Sequence, residues 1–173
     1  KPVLQGTRNP VVIGEDFARS GDLTVIWLDE IVKESVSQTL CVIELRNIPF
    51  AQQWQLIQLV GNTLNNLEAF DSRGNGQMIA ELAAQEWPGY VYQVMLSRKW
   101  YAEYFPKLKS AFEEKTASVP DDLFIRDDFT VVKVVQGVPL VTDRTGSSRV
   151  RRHGDSCIAK VMAHYAELQS YEA

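Results

Sequence analysis

Cysteine is scarce. Cys41 and Cys157, the only two in 173 residues, each sit inside an apolar stretch and outside any CxxC spacing. That pattern argues against a disulfide framework or a zinc site and leads us to expect buried, reduced thiols. Long hydrophobic runs are missing too. The apolar stretches fall far short of the roughly 20 residues that span a bilayer, and no basic-then-apolar segment marks a signal peptide. A cytosolic protein with no membrane partner is therefore expected. Positive charge is in deficit, with 18 Lys and Arg against 22 Asp and Glu and a formal net charge of −4. Lys and Arg carry the phosphate term of nucleic-acid binding, so a free-standing, high-affinity nucleic-acid binder is disfavoured and only local clusters remain of interest. No internal repeat or low-complexity tract is found. What remains, 45% hydrophobic and 23% charged residues, is the composition of one soluble domain with a real core. Residues 1–10, with Pro2 and Pro10 and no period, read as a lead-in to a domain over 11–173. The chain opens at Lys1 with no initiator Met, as expected of a piece of something longer.

The stretch Val11-Val12-Ile13-Gly14-Glu15-Asp16-Phe17 organises the rest. With the turn cluster Ser20-Gly21-Asp22 and the apolar run 23–28 it predicts two antiparallel strands. Residues 29–38 read as a polar loop with an optional helical turn, and 40–46 as a third strand completing a meander. From Pro49 the period changes: Phe50, Trp54, Ile57 and Val60 predict a helix ending near residues 65–66. A short strand follows over 67–71, then the glycine-rich turn 72–76, a helix carrying Met78, Ile79, Leu82, Ala83 and Trp87, and a strand over 90–96. That alternation predicts parallel strands with right-handed crossovers. Residues 100–115 read as a helix that Pro106 kinks or starts late. Residues 123–142 read as β, with a hairpin turning at Gln136-Gly137. After a polar loop over 143–152, a final helix spans about 156–169. The fold class is α/β: a mixed five-stranded sheet flanked by helices, with an extra hairpin before the last helix.

The chemistry sits at the ends of these elements. Asp16 ends the first strand and Asp71 the fourth, and the carboxyl ends of parallel strands are where sites open above a rigid sheet. Asp155 opens the last helix. Each has a plain structural alternative: Asp16 as a solvated strand end, Asp71 as a turn-initiating residue and Asp155 as a helix cap. Brought together, three carboxylates repel one another, and a divalent cation relieves that repulsion. Hard oxygen ligands suit Mg²⁺ or Mn²⁺, and such a set can hold two ions, one activating water and one stabilising the leaving oxygen of a phosphodiester. Asp22 is a candidate extra ligand or partner of one, or a turn residue. His153 is a candidate for orienting Asp155 or water, or a helix-entry histidine. Arg144, Arg149, Arg151 and Arg152 form a cluster just before Asp155 that suits a DNA backbone, or else a solvated loop.

These segments resemble a family. The runs Gly14-Glu15-Asp16-Phe17-Ala18-Arg19-Ser20-Gly21-Asp22-Leu23-Thr24, Glu44-Leu45-Arg46-Asn47-Ile48-Pro49-Phe50, Phe70-Asp71-Ser72-Arg73-Gly74-Asn75-Gly76 and Arg152-His153-Gly154-Asp155 are similar to the nuclease domain of large terminase subunits of tailed phages, of the Mu-like type. The resemblance implies an RNase H-like fold and a metal-dependent endonuclease that cuts concatemeric double-stranded phage DNA during packaging. It puts the metal ligands on Asp16, Asp71 and Asp155. It also implies a terminase ATPase domain, a small terminase subunit and the capsid portal as partners, in the cytoplasm of the bacterial host. No Gly-x-x-x-x-Gly-Lys-Ser/Thr phosphate loop is present, so the ATPase motor is expected outside this sequence. Two rival readings share these residues. One is another RNase H-like nucleotidyl enzyme, such as a transposase or junction resolvase. The other is a non-catalytic protein-binding domain.

Overall fold

The structure, a computed structural model, describes residues 6–18, 23–64, 66–142 and 153–172. Five strands form one sheet, with β1 (Val11–Asp16) at its centre. β2 (Leu23–Lys33) and β3 (Val36–Arg46) extend it antiparallel on one side. β4 (Asn66–Asp71) and β5 (Val91–Val94) extend it parallel on the other, giving the order β3-β2-β1-β4-β5. This is the mixed sheet expected from the sequence.

Side-chain alternation divides the sheet between two helical layers. Val11 and Ile13 of β1, Ile26 and Leu28 of β2 and Phe70 of β4 face α1 (Phe50–Gly61) and α2 (Gln77–Glu86), which contribute Ile57, Val60, Ile79, Ala80 and Ala83. Val12, Val25, Trp27 and Ala69 face the other way. They pack on α5 (Asp155–Glu172) through Ala159, Met162, Ala163 and Ala166. Behind α5 a third cluster, with Phe105, Leu108, Cys157 and Val161, seats α3 (Arg98–Glu113). Ser97 starts α3 by accepting from the Trp100 amide at 3.2 Å, and Pro106 lies inside the helix. Both cysteines are free thiols, Cys157 buried and Cys41 half-buried. Among the described residues no helix is long and apolar enough to cross a membrane.

Three expectations are corrected. Residues 29–38 are mostly strand rather than loop: β2 runs on to Lys33 and β3 starts at Val36. Polar side chains conceal this because two register shifts, between Leu28 and Asp29 and between Ile31 and Lys33, break the alternation that marks a strand in sequence. Residues 123–130 form a helix, α4 (Leu123–Thr130), rather than a strand. The apolar run Leu123-Phe124-Ile125 reads as β, yet the Asp122 carboxylate accepts from the Phe124 and Ile125 amides at 2.8 and 3.1 Å and caps a helix. Leu123 and Phe124 stay exposed while Ile125 and Asp128, three apart, turn inward. The hairpin beyond it, β6 (Val132–Val135) and β7 (Val138–Val141), turns at Gln136-Gly137 as expected. Finally, α1 ends at Gly61, earlier than expected, where the Asn62 and Thr63 amides return to Gln58 and Val60.

One packing detail positions everything that follows. A Cβ on Gly14 would lie 2.0 Å from the Ala159 carbonyl oxygen and 2.3 Å from the Ala163 nitrogen, so α5 rests directly on the backbone of β1. No side chain fits between them. Gly14→Ala is expected to push α5 outward and cost on the order of 1–3 kcal/mol, as overpacking does when backbone has to move. Urea unfolding measures this, and a midpoint equal to the parent's would contradict the contact.

Candidate functional site

The contact at Gly14 also sets the height of two carboxylates. Asp16 stands two strand residues beyond Gly14 on the same face, and Asp155 stands one helical turn before Ala159. Those offsets are about 6.6 Å and about 6 Å at the usual rises of strand and helix. Asp71, two residues beyond Ala69, joins them from the neighbouring parallel strand, where Glu15 lies opposite Phe70 in register.

The electrostatics of Asp16 record this convergence. Burial pushes its carboxyl well above the usual carboxylate range; Asp155 and then Asp71 push it further, Arg73 opposes them, and Asp128 adds to the rise. Asp71 is also raised by burial, against the pull of Arg73. The Arg73 amide donates to Asp71 Oδ1 at 3.0 Å and its Nε at 3.3 Å. Tyr101 of α3, hydrogen-bonded to Arg73, is pushed up to about 12, chiefly by burial, with Arg73 opposing and Asp16 and Asp71 adding.

Asp155 is buried at the first turn of α5, where a carboxylate also suits the helix dipole. Its Oδ2 accepts from the backbone amide of His153 at 3.2 Å. Gly154 makes this approach possible. It adopts φ +76°, and a Cβ there would meet Val141 and Val131 at 2.9 and 3.0 Å.

Sequence reasoning missed Asp128. Fully buried on α4, it accepts from the Ser156 amide through Oδ2 at 3.1 Å and thereby braces the start of α5. Reading residues 123–130 as β hid it, and the signal available was Asp122 as a helix cap. Arg73 and Tyr101 were likewise without a role. Asp22, Arg144, Arg149, Arg151 and Arg152 lie outside the described residues.

Among the described residues, no three His, Cys, Asp or Glu side chains are grouped as a metal ion would need. Asp71 meets the donors of Arg73 instead, and Asp155 the amide of His153. The chemistry of the donors nonetheless fits a hard divalent cation, since these are carboxylate oxygens whose mutual repulsion already raises Asp16.

Behind the site, on the α1–α2 face, lies a second acidic pair. Glu15 is buried, with no hydrogen-bond partner for either oxygen among the described residues, and burial followed by Glu68 and Asp16 raises it well above its usual range. Glu68 is pushed up to about 8 by burial, against a hydrogen bond from Asn66.

A carboxyl whose pKa is raised by folding holds its proton more tightly in the folded state. Its contribution to stability is whole below the unfolded value, roughly 4, and is lost as pH rises through the folded value. In chelator, the melting temperature is therefore expected to fall from mildly acidic pH towards about 8, the value for Glu68. Asp16→Asn should flatten part of that fall and Glu68→Gln its upper end. A melting temperature that climbs over the same interval would contradict the assignment.

Comparison with known proteins returns one consistent group. No family model matches the chain. It is 35% identical over 161 residues to the probable terminase large subunit gp28 of Escherichia phage Mu, covering 90% of this chain and 29% of that protein. It is 35% identical over 154 residues to the Mu-like prophage FluMu protein gp28 of Haemophilus influenzae, covering 87% of this chain and 30% of that one. The chain thus spans about three-tenths of the length of the curated relatives it matches. Among solved structures, the large terminase nuclease of thermophilic phage G20c with bound cobalt superposes with a TM-score of 0.69 at 18% identity, over 91% of this chain and 81% of that one. The same nuclease has been solved with zinc and with magnesium.

Proposed function

The chain is a relative of the large terminase subunits of Mu-like phages and has the RNase H-like fold of terminase nuclease domains, and from that premise we propose that it is a metal-dependent endonuclease cutting concatemeric double-stranded phage DNA during genome packaging. The observation that carries the reading is the crowding of Asp16 by Asp155 and Asp71 at the carboxyl ends of β1 and β4. Mutually repelling carboxylates at the mouth of parallel strands mark a functional site, and a cation bound there would relieve the repulsion.

Asp16, Asp71 and Asp155 are the residues that would hold two Mg²⁺ or Mn²⁺ ions, which when bound supply the neutralisation of phosphate charge and the activation of water. The protein's own part is positioning. Asp128 of α4 ties down the start of α5 through the Ser156 amide, and the His153 amide holds the Asp155 carboxylate. Arg73, whose side chain is 45% exposed, is suited to a phosphate oxygen once Asp71 releases it. Arg144, Arg149, Arg151 and Arg152 grip the DNA backbone just ahead of Asp155, and Asp22 and the His153 ring are auxiliary to the ions. A net charge of −4 makes that grip weak in isolation. The ATPase domain, the small subunit and the capsid portal supply the rest of the hold on DNA, in the cytoplasm of the bacterial host.

Titrating Mg²⁺ or Mn²⁺ against supercoiled plasmid tests this reading. Cleavage is expected only with the ion. Asp16→Asn should lower it at least a hundredfold, about 2.7 kcal/mol of barrier, while the variant melts at or above the parent in chelator. Asp155→Asn should lose cleavage with little change in stability, since an Asn side-chain oxygen can still accept from the His153 amide. Mn²⁺-dependent nicking that survives Asp16→Asn, in a protein that melts several degrees earlier, would make Asp16 structural. Strong preference for a four-way junction would favour a resolvase instead. Replacing Arg149, Arg151 and Arg152 with Ala should reduce the slope of log affinity against log salt by about 0.9 per lost phosphate contact. An unchanged slope would place the grip elsewhere.

A further inference from the structure

Where α5 comes closest to the sheet its face is built mostly of small residues, with Met162 beside them. Ala159, Ala163 and Ala166, all fully buried, meet Gly14 and Ala69. Small residues permit close approach, but they offer few ridges to resist sliding. A slip of one residue would carry Asp155 about 1.5 Å along the helix and about 100° around it, away from Asp16. Met162 gives this face shape at one point and Asp128 braces the first turn through the Ser156 amide, but the alanine stretch between them needs a directional tie to fix its register.

A fully buried ion pair lies at this interface and no other role uses it. Lys160, beside Ala159, directs Nζ to Asp29 Oδ2 of β2 at 2.6 Å, and neither side chain is accessible to solvent. The other oxygen of the same carboxylate accepts from Trp27 Nε1 at 2.7 Å, and Nζ stands 5.5 Å from the Trp27 ring centroid. Both partners of the cation are thus held rigidly by β2. A buried pair is a costly way to stabilise a core, because apolar residues of similar volume often do as well or better. Its advantage is direction, since a helix shifted by one residue would turn Lys160 about 100° away from that oxygen. Glu167 ties the far end of α5 to Ser37 at 3.0 Å, but it lies seven residues further from Asp155 than Lys160 does.

We infer that Lys160 and Asp29 are positioning residues that set the register of α5 and so hold Asp155 beside Asp16; the part concerning Asp155 rests on its proposed role as a metal ligand. The test is the double variant Asp29→Asn/Lys160→Met, which removes the charges and keeps an acceptor for Trp27. Two quantities are read: Mn²⁺ affinity by titration calorimetry without DNA, and the position of α5 on Gly14 in a crystal structure. Expected are cooperative unfolding near the parent's, Mn²⁺ affinity at least tenfold weaker, and α5 displaced along or about its axis. A purely structural pair would lose stability and leave the affinity of the folded protein unchanged. If Asn/Met does not fold, Asp29→Leu/Lys160→Met is read in the same way. Parental Mn²⁺ affinity with α5 in its parental register would overturn the inference, and so would failure of both pairs to fold, since the pair would then maintain the fold rather than its register. Should the parent bind no Mn²⁺, the nuclease reading fails, and the register of α5 in the variants still decides whether the pair sets it.

Discussion

The direct seating of α5 on the backbone of β1 at Gly14 is the constraint on which the other features depend. Two main chains meet there without an intervening side chain, and the helix comes close enough to place its first residue at the level of the strand's last. A side chain at this point would move Asp155 away from Asp16 and open the Val12, Ala69 and Met162 core. The small residues that permit the contact leave its register only weakly specified by shape. The structure answers with polar ties that have direction: Lys160 to Asp29, Asp128 to the Ser156 amide, and Glu167 to Ser37. Packing thus supplies the distance and hydrogen bonding supplies the alignment.

The second theme is charge held against its preference. Asp16 is flanked by Asp155, Asp71 and Asp128, with Arg73 as an opposing cation, while Glu15 and Glu68 crowd one another on the opposite face of the same strands. Acids thus occupy both faces of β1 and β4, where Ile13, Phe70 and Ala69 would by themselves make an ordinary apolar core. The three hydrophobic clusters offset this burden. Arg73 also links the acidic centre to Tyr101 of α3, so the helix beyond β5 belongs to the electrostatics of the site as well as to the core.

Much of this organisation was legible in the chain. The apolar periods of β1, β2, α1, α2 and α5, the parallel crossover through α1, and the hairpin at Gln136-Gly137 follow from local rules of side-chain alternation, helical repeat and turn chemistry. The positions of Asp16, Asp71 and Asp155 at element ends follow from the same rules. These are properties of neighbouring residues, so the sequence by itself determines them. Tertiary structure decided what depends on distant partners. Residues 29–38 became strand because β3 pairs across two register shifts and because Asp29 found Trp27 and Lys160, the latter 131 positions away. Residues 123–130 became a helix because, beyond the local Asp122 cap, Ile125 joins the α5 core cluster and Asp128 meets the Ser156 amide 28 positions away. Whether a carboxylate is a solvated turn residue or one of a crowded set depends on the field of groups remote in the chain, and that field exists only once α5 has closed on Gly14.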